Sequence, residues 1–506
     1  MTTTYVTRGP VPVQQTTYIT TGPQQISTTY VTTGRQPPPP PPPQATVVVT
    51  APNNRRWATA AQTQSGTAAT LLFVYAGMDM AQSLGWNLSP NYVNYFSTLE
   101  FQYSWFIGVI IGTVVAAITA SFLPKIVFYG LGGVMNLIDA IIFVSAPYQY
   151  ESILAARYVG GVGIGLITVP FLIHSAEIAS STNRGTCCAL EQYGLALGVA
   201  IQVIYDSQWT QNLGMTINRV HGIFGIVFAA ISLGSLAMTI DSPIFYIRQN
   251  QEQKARASVK QLMGAFWTRE GGEVAYDEAK LYVVEGSSQG VGEQLKESMM
   301  PFLKLLFFRC FVAFTFSMPL SISMEWTTYF VEGSTYSWPT IIFGILRLIG
   351  ALITFAVLDT VGRKFVSLLG LMCMAGLMLG MAGVYGDYAH VADPYFMWQV
   401  CRLGMAFQFF AGLFICSSSV YLGEAFPMRV KPFLIGLIVC LEQVIHIIVI
   451  ITFATTPEFY YTYFVAVGII MVIGLVAFAV LMPETRGLTL RQAGERFRRV
   501  HDVMAY

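Results

Sequence analysis

From Gln64 onward the chain alternates between long apolar runs and short polar turns. A helix needs about 20 apolar residues to cross a hydrocarbon core. Twelve runs of that length fall at about 67–86, 102–122, 126–146, 153–173, 186–206, 221–240, 305–330, 340–358, 365–385, 396–420, 432–454 and 460–482. One polar stretch, 241–304, divides them six and six and is rich enough in Lys, Arg, Glu and Asp to be helical in parts. The pattern predicts an all-α membrane protein of twelve transmembrane helices in two six-helix halves, 66–240 and 305–483, with a central loop of short helices between them and a polar tail over 484–506. The seventh run holds the stretch SMPLSISMEWTTYF, with Pro319 and Glu325 inside apolar sequence. A proline can break a membrane helix where a cavity satisfies the freed backbone groups.

Residues 1–65 are a different material. TTYVTRGP, TTYITTGP and TTYVTTGR repeat one short unit, and Pro37 to Pro43 follow. Such a segment cannot bury enough surface to fold and is expected to be disordered, with a polyproline-II stretch at its end. It is either an inert tail or a ligand for an SH3 or WW partner. No apolar stretch follows a basic start, so it is not a signal peptide.

Composition agrees with the apolar pattern. The chain is 54% hydrophobic and 11% charged, with mean hydropathy +0.54. A soluble domain carries about 25% charged residues, so membrane lipid is the expected surrounding. A net charge of +1 argues against a nucleic-acid partner. The seven cysteines have no spaced framework and read as small buried hydrophobes. Basic residues such as Arg363, Lys364, Arg429, Lys431 and Arg486 collect on one side. The positive-inside rule therefore puts both termini and the central loop in the cytoplasm. Nothing in the sequence retains the chain internally, which points to the plasma membrane. Asn87-Leu88-Ser89 then faces outward as a glycosylation acceptor, although Pro90 follows it.

Two similar halves rocking about a midplane site is a transporter architecture. RYVGGVGIG (157–165), AEIASSTNRG (176–185), DSPIFYIRQNQEQKA (241–255), LDTVGRK (358–364), GEAFPMRVKP (423–432) and PETRGLTL (483–490) stand in order at the span ends. Together they resemble the sugar-porter family of the major facilitator superfamily, including animal glucose and insect trehalose facilitators, over about 67–492. The resemblance implies the major facilitator fold. It also implies a cytoplasmic gate of acid–base sets that close the inner side: Glu177 with Arg184, Asp359 with Arg363, Glu424 with Arg429 and Lys431, and Glu484 with Arg486. The glycines of 160–165 lack the strand–turn–helix setting of a nucleotide loop, and close helix approach is the better account.

The resemblance also points to Asp79, in FVYAGMDMAQ, as the acid that pairs with Arg157 in proton-coupled members. A carboxylate at that depth is costly, so the pair either carries a proton or stands as a static ion pair. Gln192 matches the family's fifth-span sugar-binding glutamine. Elsewhere the sugar motifs are eroded. The seventh-span pattern Q-Q-L-S-G-x-N keeps only Leu320 and Ser321, with Met318, Pro319, Ile322 and Met324 at the other positions. The tenth-span tryptophan position is Ser419. The first half also lacks the family's basic loop between spans two and three, where Lys125 is the only charge.

Ionisable groups stand in place of the lost amides. Glu442 is 11 residues past Lys431, about 16 Å along a helix and so near the midplane. Gln443 is beside it, and His446 one turn on shares its face. Arg347 is the expected partner of Glu442 or Glu325. The candidate solute site is thus Gln192, Ser321, Glu325, Glu442, Gln443 and His446. No cluster has the spacing of a metal site or of a nucleophile and base, so no cofactor and no enzyme activity are expected; His174, His221, His390 and His501 read as isolated. The expectation is a secondary transporter of a sugar- or polyol-like solute by alternating access, with or without protons. The alternatives are a transporter of a charged or zwitterionic solute, and a non-transporting sensor or scaffold.

Overall fold

The computed structural model describes residues 17–20, 26–29, 60–87, 98–208, 215–333 and 338–501. The chain forms two compact units, Met1–Asn54 and Arg55–Tyr506. In the first, β1 (Thr17–Thr20) and β2 (Ile26–Thr29) pair antiparallel with Thr17 opposite Thr29. This short ladder is a described part of the segment expected to be a low-complexity tail. Its β-branched residues suit a strand. The proline run lies outside the described residues.

The second unit is helical throughout its described length. Its first half holds α1 (Ala60–Gln64), α2 (Thr67–Ser83), α3 (Leu99–Thr119), α4 (Lys125–Ser145), α5 (Tyr150–Ile178), α6 (Arg184–Gln208) and α7 (Ile217–Ser235). The central segment holds α8 (Pro243–Arg248), α9 (Glu252–Met263) and α10 (Arg269–Ser288). The second half holds α11 (Val291–Thr315), α12 (Met318–Glu332), α13 (Trp338–Val357), α14 (Arg363–Tyr385), α15 (Tyr388–Val391), α16 (Pro394–Ala425), α17 (Lys431–Thr452) and α18 (Pro457–Leu481), and α19 (Leu490–Arg498) follows. Among the described residues eleven segments are long and apolar enough to cross a membrane, α11 and α12 counting as one. α2, at 17 residues, completes the expected twelve.

Proline and polar caps set the span starts. Pro394, Pro432 and Pro457 occupy the first turns of α16, α17 and α18, where a missing N–H costs nothing. Thr98, Thr216 and Thr456 accept from backbone N–H groups at the starts of α3, α7 and α18. Burial sorts the helices. The apolar window of α5 is 89% buried and that of α18 only 33%, so α5 lies inside the bundle and α18 faces outward.

The glycines of 157–165 do what close packing requires. Side chains on Gly161 and Gly165 would bring a Cβ to 2.3 Å from the Trp105 carbonyl and 2.2 Å from the Val109 carbonyl of α3. No larger residue fits there. α5 can lie against α3 backbone to backbone only because these positions are bare.

The seventh span is broken rather than continuous. α11 ends at Thr315, and α12 restarts at Met318 with Pro319 in its first turn. In an unbroken helix the Thr315 carbonyl would accept from residue 319, and proline has no N–H to give.

Replacing Gly161 by Val should therefore push α3 and α5 apart. Overpacking of this kind costs about 1–3 kcal/mol. We expect a lower unfolding temperature in detergent than for the unaltered chain, and Gly376→Val, which meets no atom within 4 Å, should leave it unchanged.

Candidate functional site

The two halves meet at an arginine that sequence reasoning passed over. Arg309 of α11 is buried, and its guanidinium is bonded on every side. Nε donates to Glu442 Oε2 of α17 at 2.5 Å, Nη1 to Ser418 Oγ of α16 at 2.8 Å, and Nη2 to Glu191 Oε1 of α6 at 2.7 Å. With its amide oxygen turned inward, Gln192 accepts from Nη1 at 3.1 Å and Nη2 at 3.0 Å. Ser419 Oγ donates to Glu191 Oε2 at 2.5 Å. Glu191 and Gln192 belong to the first half, and Arg309, Ser418, Ser419 and Glu442 to the second. A planar cation with five donors can hold such a ring together, where a lysine could not. LLFFRCF is apolar on both sides of Arg309, which is the signal that was available. Lying near the start of a long run, the residue reads instead as an interfacial anchor.

Gln192 and Glu442 thus come together at one buried point. His446 is buried one turn beyond Glu442 and stacks on Phe106 of α3, with ring centroids 4.7 Å apart at 11°. Gln443 is buried beside them. Ser321 and Glu325 do not join this group. The Ser321 hydroxyl is buried on α12 with no hydrogen-bond partner, and Glu325 is half-buried and makes none of the ion pairs among the described residues. The stretch just after α2 meets the second half instead: Ile322 of α12 lies against bare Gly85, and Phe343 of α13 against Trp86, at 5.7 Å between ring centroids.

Arg347 does not pair with Glu442 or Glu325, contrary to expectation. It serves the helix break. Nη1 donates to the Thr315 carbonyl at 3.2 Å and to Gln408 Oε1 at 3.0 Å, and Nη2 to Thr315 Oγ1 at 3.1 Å. Gln408 Nε2 gives the same carbonyl a second donor at 3.1 Å. The carbonyl orphaned by Pro319 is the one these side chains reach.

In the first half, Arg157 of α5 and Asp79 of α2 are both fully buried but lie 4.0 Å apart, at the limit of an ion pair. Arg157 spends its donors on Phe101 O, Ser104 Oγ, Gln82 Oε1, Ser83 Oγ and the Asp79 carbonyl, and its face lies over the Phe101 ring. The Asp79 carboxylate takes His221 Nε2 of α7 at 3.1 Å, and His221 Nδ1 meets Gln202 Oε1 at 3.2 Å. His221 is therefore not isolated. Nor is His174, which bridges the Tyr129 hydroxyl at 2.9 Å and the Ile240 carbonyl at 2.8 Å.

At the end of the bundle that carries α8–α10, a second polar set joins the halves. Glu424 of α16 accepts from Arg184 Nη1 of α6 at 3.3 Å and from Arg363 Nη1 of α14 at 2.8 Å. Asp359 accepts from the N–H groups of Gly185 and Thr186 at 2.9 and 2.8 Å, which puts a carboxylate of the second half on the N-terminus of α6. Arg363 Nη2 lies 3.6 Å from the same carboxylate. Glu484 caps α14 likewise, through the N–H groups of Arg363 and Lys364 at 2.9 and 3.0 Å. A Cβ at Gly362, whose φ is +111°, would meet Glu484 at 2.6 Å, so the glycine of D-x-x-G-R-K is needed there. Among the described residues Glu177, Arg429, Lys431 and Arg486 form none of the expected acid–base pairs, and Glu484 meets Arg486 only at its backbone N–H. Arg429 donates to the Ser287 carbonyl and Arg486 to that of Thr360. Glu177 and Lys431 line a small cavity with Lys125 and Arg248, and Lys431 Nζ has no hydrogen-bond partner there. Asp241 of DSPIF supplies what the missing basic loop leaves open, accepting from the Lys125 N–H at 3.0 Å at the start of α4. Asn87 is half-buried after α2, and Leu88 and Ser89 of its sequon lie outside the described residues.

Comparison with known proteins follows this geometry. The family described as "Sugar (and other) transporter" matches residues 61–497. D-xylose-proton symporter-like 1 of Arabidopsis thaliana is 24% identical over 412 residues, covering 76% of this chain and 78% of that protein. Facilitated glucose transporter member 4 of solute carrier family 2, from Homo sapiens, is 23% identical over 388 residues, 71% of each. Among solved structures, the major facilitator superfamily proton:xylose symporter XylE bound to 6-bromo-6-deoxy-D-glucose superposes with a TM-score of 0.68 at 19% identity, covering 86% of this chain and 98% of that one. The partially occluded inward-open form of the xylose transporter XylE from E. coli gives 0.59 at 20% identity, covering 84% and 98%. With its twelve spans in two joined halves, the chain has the major facilitator fold and belongs to the sugar (and other) transporter family, a family of transporters and not of enzymes.

Proposed function

We propose that the chain carries a small sugar- or polyol-like solute across the membrane by alternating access, with protons as the co-transported ion. The observation that carries this reading is the Arg309 ring, which joins the halves at buried polar groups including the family glutamine, Gln192. The relatives named above are symporters and facilitators of xylose and glucose, which supports the solute class. In this reading the polar set at the α8–α10 end is a cytoplasmic gate, both termini and the central segment are cytoplasmic, and the membrane is the plasma membrane. Membrane lipid surrounds the bundle, and an SH3 or WW module is the partner proposed for the proline run.

A second reading is a charged or zwitterionic solute. Two carboxylates, Glu191 and Glu442, share one guanidinium, so an amine can take one of them without stranding the other. Purified chain in proteoliposomes, offered sugars, polyols and zwitterions with and without a pH gradient, decides between the readings. Gradient-driven sugar uptake supports the first. Uptake of zwitterions alone supports the second, and uptake of nothing favours a sensor.

Glu442→Gln should abolish or alter uptake while surface expression stays normal; unaltered uptake would remove Glu442 from the site. Arg309→Met leaves two buried acids without a cation. Breaking a buried pair in this way costs about 3–5 kcal/mol, read as a fall in unfolding temperature. At the gate, Glu424→Gln frees Arg184 and Arg363 from their shared acid. Cys188, fully buried beside this set, should then react faster with a maleimide applied from the α8–α10 side. Equal rates would show that Glu424 does not hold the gate shut.

A further inference from the structure

One acid of the first half has no bond at all. Asp139 lies 14 residues into α4, about 21 Å along its axis, with no exposed surface. Neither carboxylate oxygen has a hydrogen-bond partner. It is pressed against α5 at Gly160, where a Cβ would stand 2.7 Å from Oδ2. The first glycine of the RYVGG stretch therefore makes room for a carboxyl group, while Gly161 and Gly165 make room for α3. Asn136, one turn earlier on α4, meets bare Gly163 in the same way.

The charged and titratable groups around it come from three helices. α2 supplies Tyr75 and Asp79, α5 supplies Arg157, and α7 supplies His221, which lies against Asp79. Arg157 is the only cation of fixed charge in this set. Its donors go to backbone, hydroxyl and amide acceptors, and the nearest carboxylate, that of Asp79, is 4.0 Å away. With Asp79 ionised, the arginine is already balanced. An ionised Asp139 would add a second buried negative charge with only the Tyr75 hydroxyl at hand as a donor, which a buried carboxylate does not sustain; it takes up a proton instead.

We propose that Asp139 is a proton-binding site of this chain, neutral in the arrangement described here and ionised when Arg157 turns to it. The exchange is simple to balance. The carboxyl O–H bond breaks, the proton passes to a water molecule, and the electron pair stays on the carboxylate. Arg157 and Gly160 are three residues apart on α5 and so share a face. The guanidinium reaches Asp139 by leaving Gln82 and Ser83, one helical turn away. Two acids and one arginine then form a switch in which the position of the arginine sets which acid holds a proton. This extends the proton-coupled reading above and rests on it for its use in transport, but the proton itself is measured without any solute.

The test is infrared spectroscopy of the full chain in lipid at neutral pH. Asp139→Asn should remove the C=O band of one protonated carboxylic acid. Gly160→Ala, whose methyl would crowd Oδ2, should shift the band without removing it, and it keeps the test decisive if Asp139→Asn does not fold. An unchanged acid band in Asp139→Asn, or no shift in Gly160→Ala, overturns the proposal. In proteoliposomes, Asp139→Asn should move fewer protons per solute than the unaltered chain; an equal ratio also overturns it. A band lost as expected in a chain that carries no solute would leave the proton site standing and fell the transport reading instead.

Discussion

Pro319 creates a buried polar group inside the bundle, and that group needs a partner. Its missing N–H strips the Thr315 carbonyl of its helical donor, and an unsatisfied backbone group in hydrocarbon costs several kcal/mol. Arg347 and Gln408, from two neighbouring helices, bond that carbonyl together. The break between α11 and α12 is thus held by α13 and α16. It lets α12 take its own direction and meet the stretch just after α2, while α11 keeps Arg309 at the centre. Without the two donors, the break would be a defect.

The other buried arginines obey the same constraint by different means. Arg309 is neutralised by acids from both halves and so ties them together. Arg157 is spread over neutral acceptors within one half. Arg184 and Arg363 share a single acid, Glu424. Where an arginine's acceptors come from both halves, any rocking of the halves must exchange its partners. Where they come from one half, rocking of the halves does not by itself break its bonds.

The spans, and the places of the polar motifs at their ends, were legible in the sequence for physical reasons. Membrane length forces apolar runs of about 20 residues, and helix starts carry Pro, Thr and Asp. D-x-x-G-R-K and its companions sit where backbone geometry leaves little choice, as the φ of Gly362 shows. Side-chain partners were not legible. Arg347 was matched with Glu442 by depth, yet depth along an axis says nothing of the direction a side chain takes around it. Its true partner followed from a simpler count: a proline at 319 orphans the carbonyl at 315. Arg309, Asp139 and His221 were readable as ionisable groups within apolar runs, but a single sequence does not say which of them meet.

Contacts between the halves differ in kind at the two ends, and this bears on how the molecule can switch. At the α8–α10 end they are charged: Arg184 with Glu424, and Asp359 with the start of α6. At the other end they are apolar, Ile322 on Gly85 and Phe343 on Trp86. Opening the charged end exchanges protein hydrogen bonds for water, a change that nets only about 0.5–1.5 kcal/mol for each bond. Opening the apolar end exposes a few side chains at about 25 cal/mol per Å². Both costs are small and of opposite chemistry, so neither closure dominates. An alternating-access cycle requires that balance, because conformers separated by only a few kcal/mol are both populated and a bound solute or proton can then choose between them.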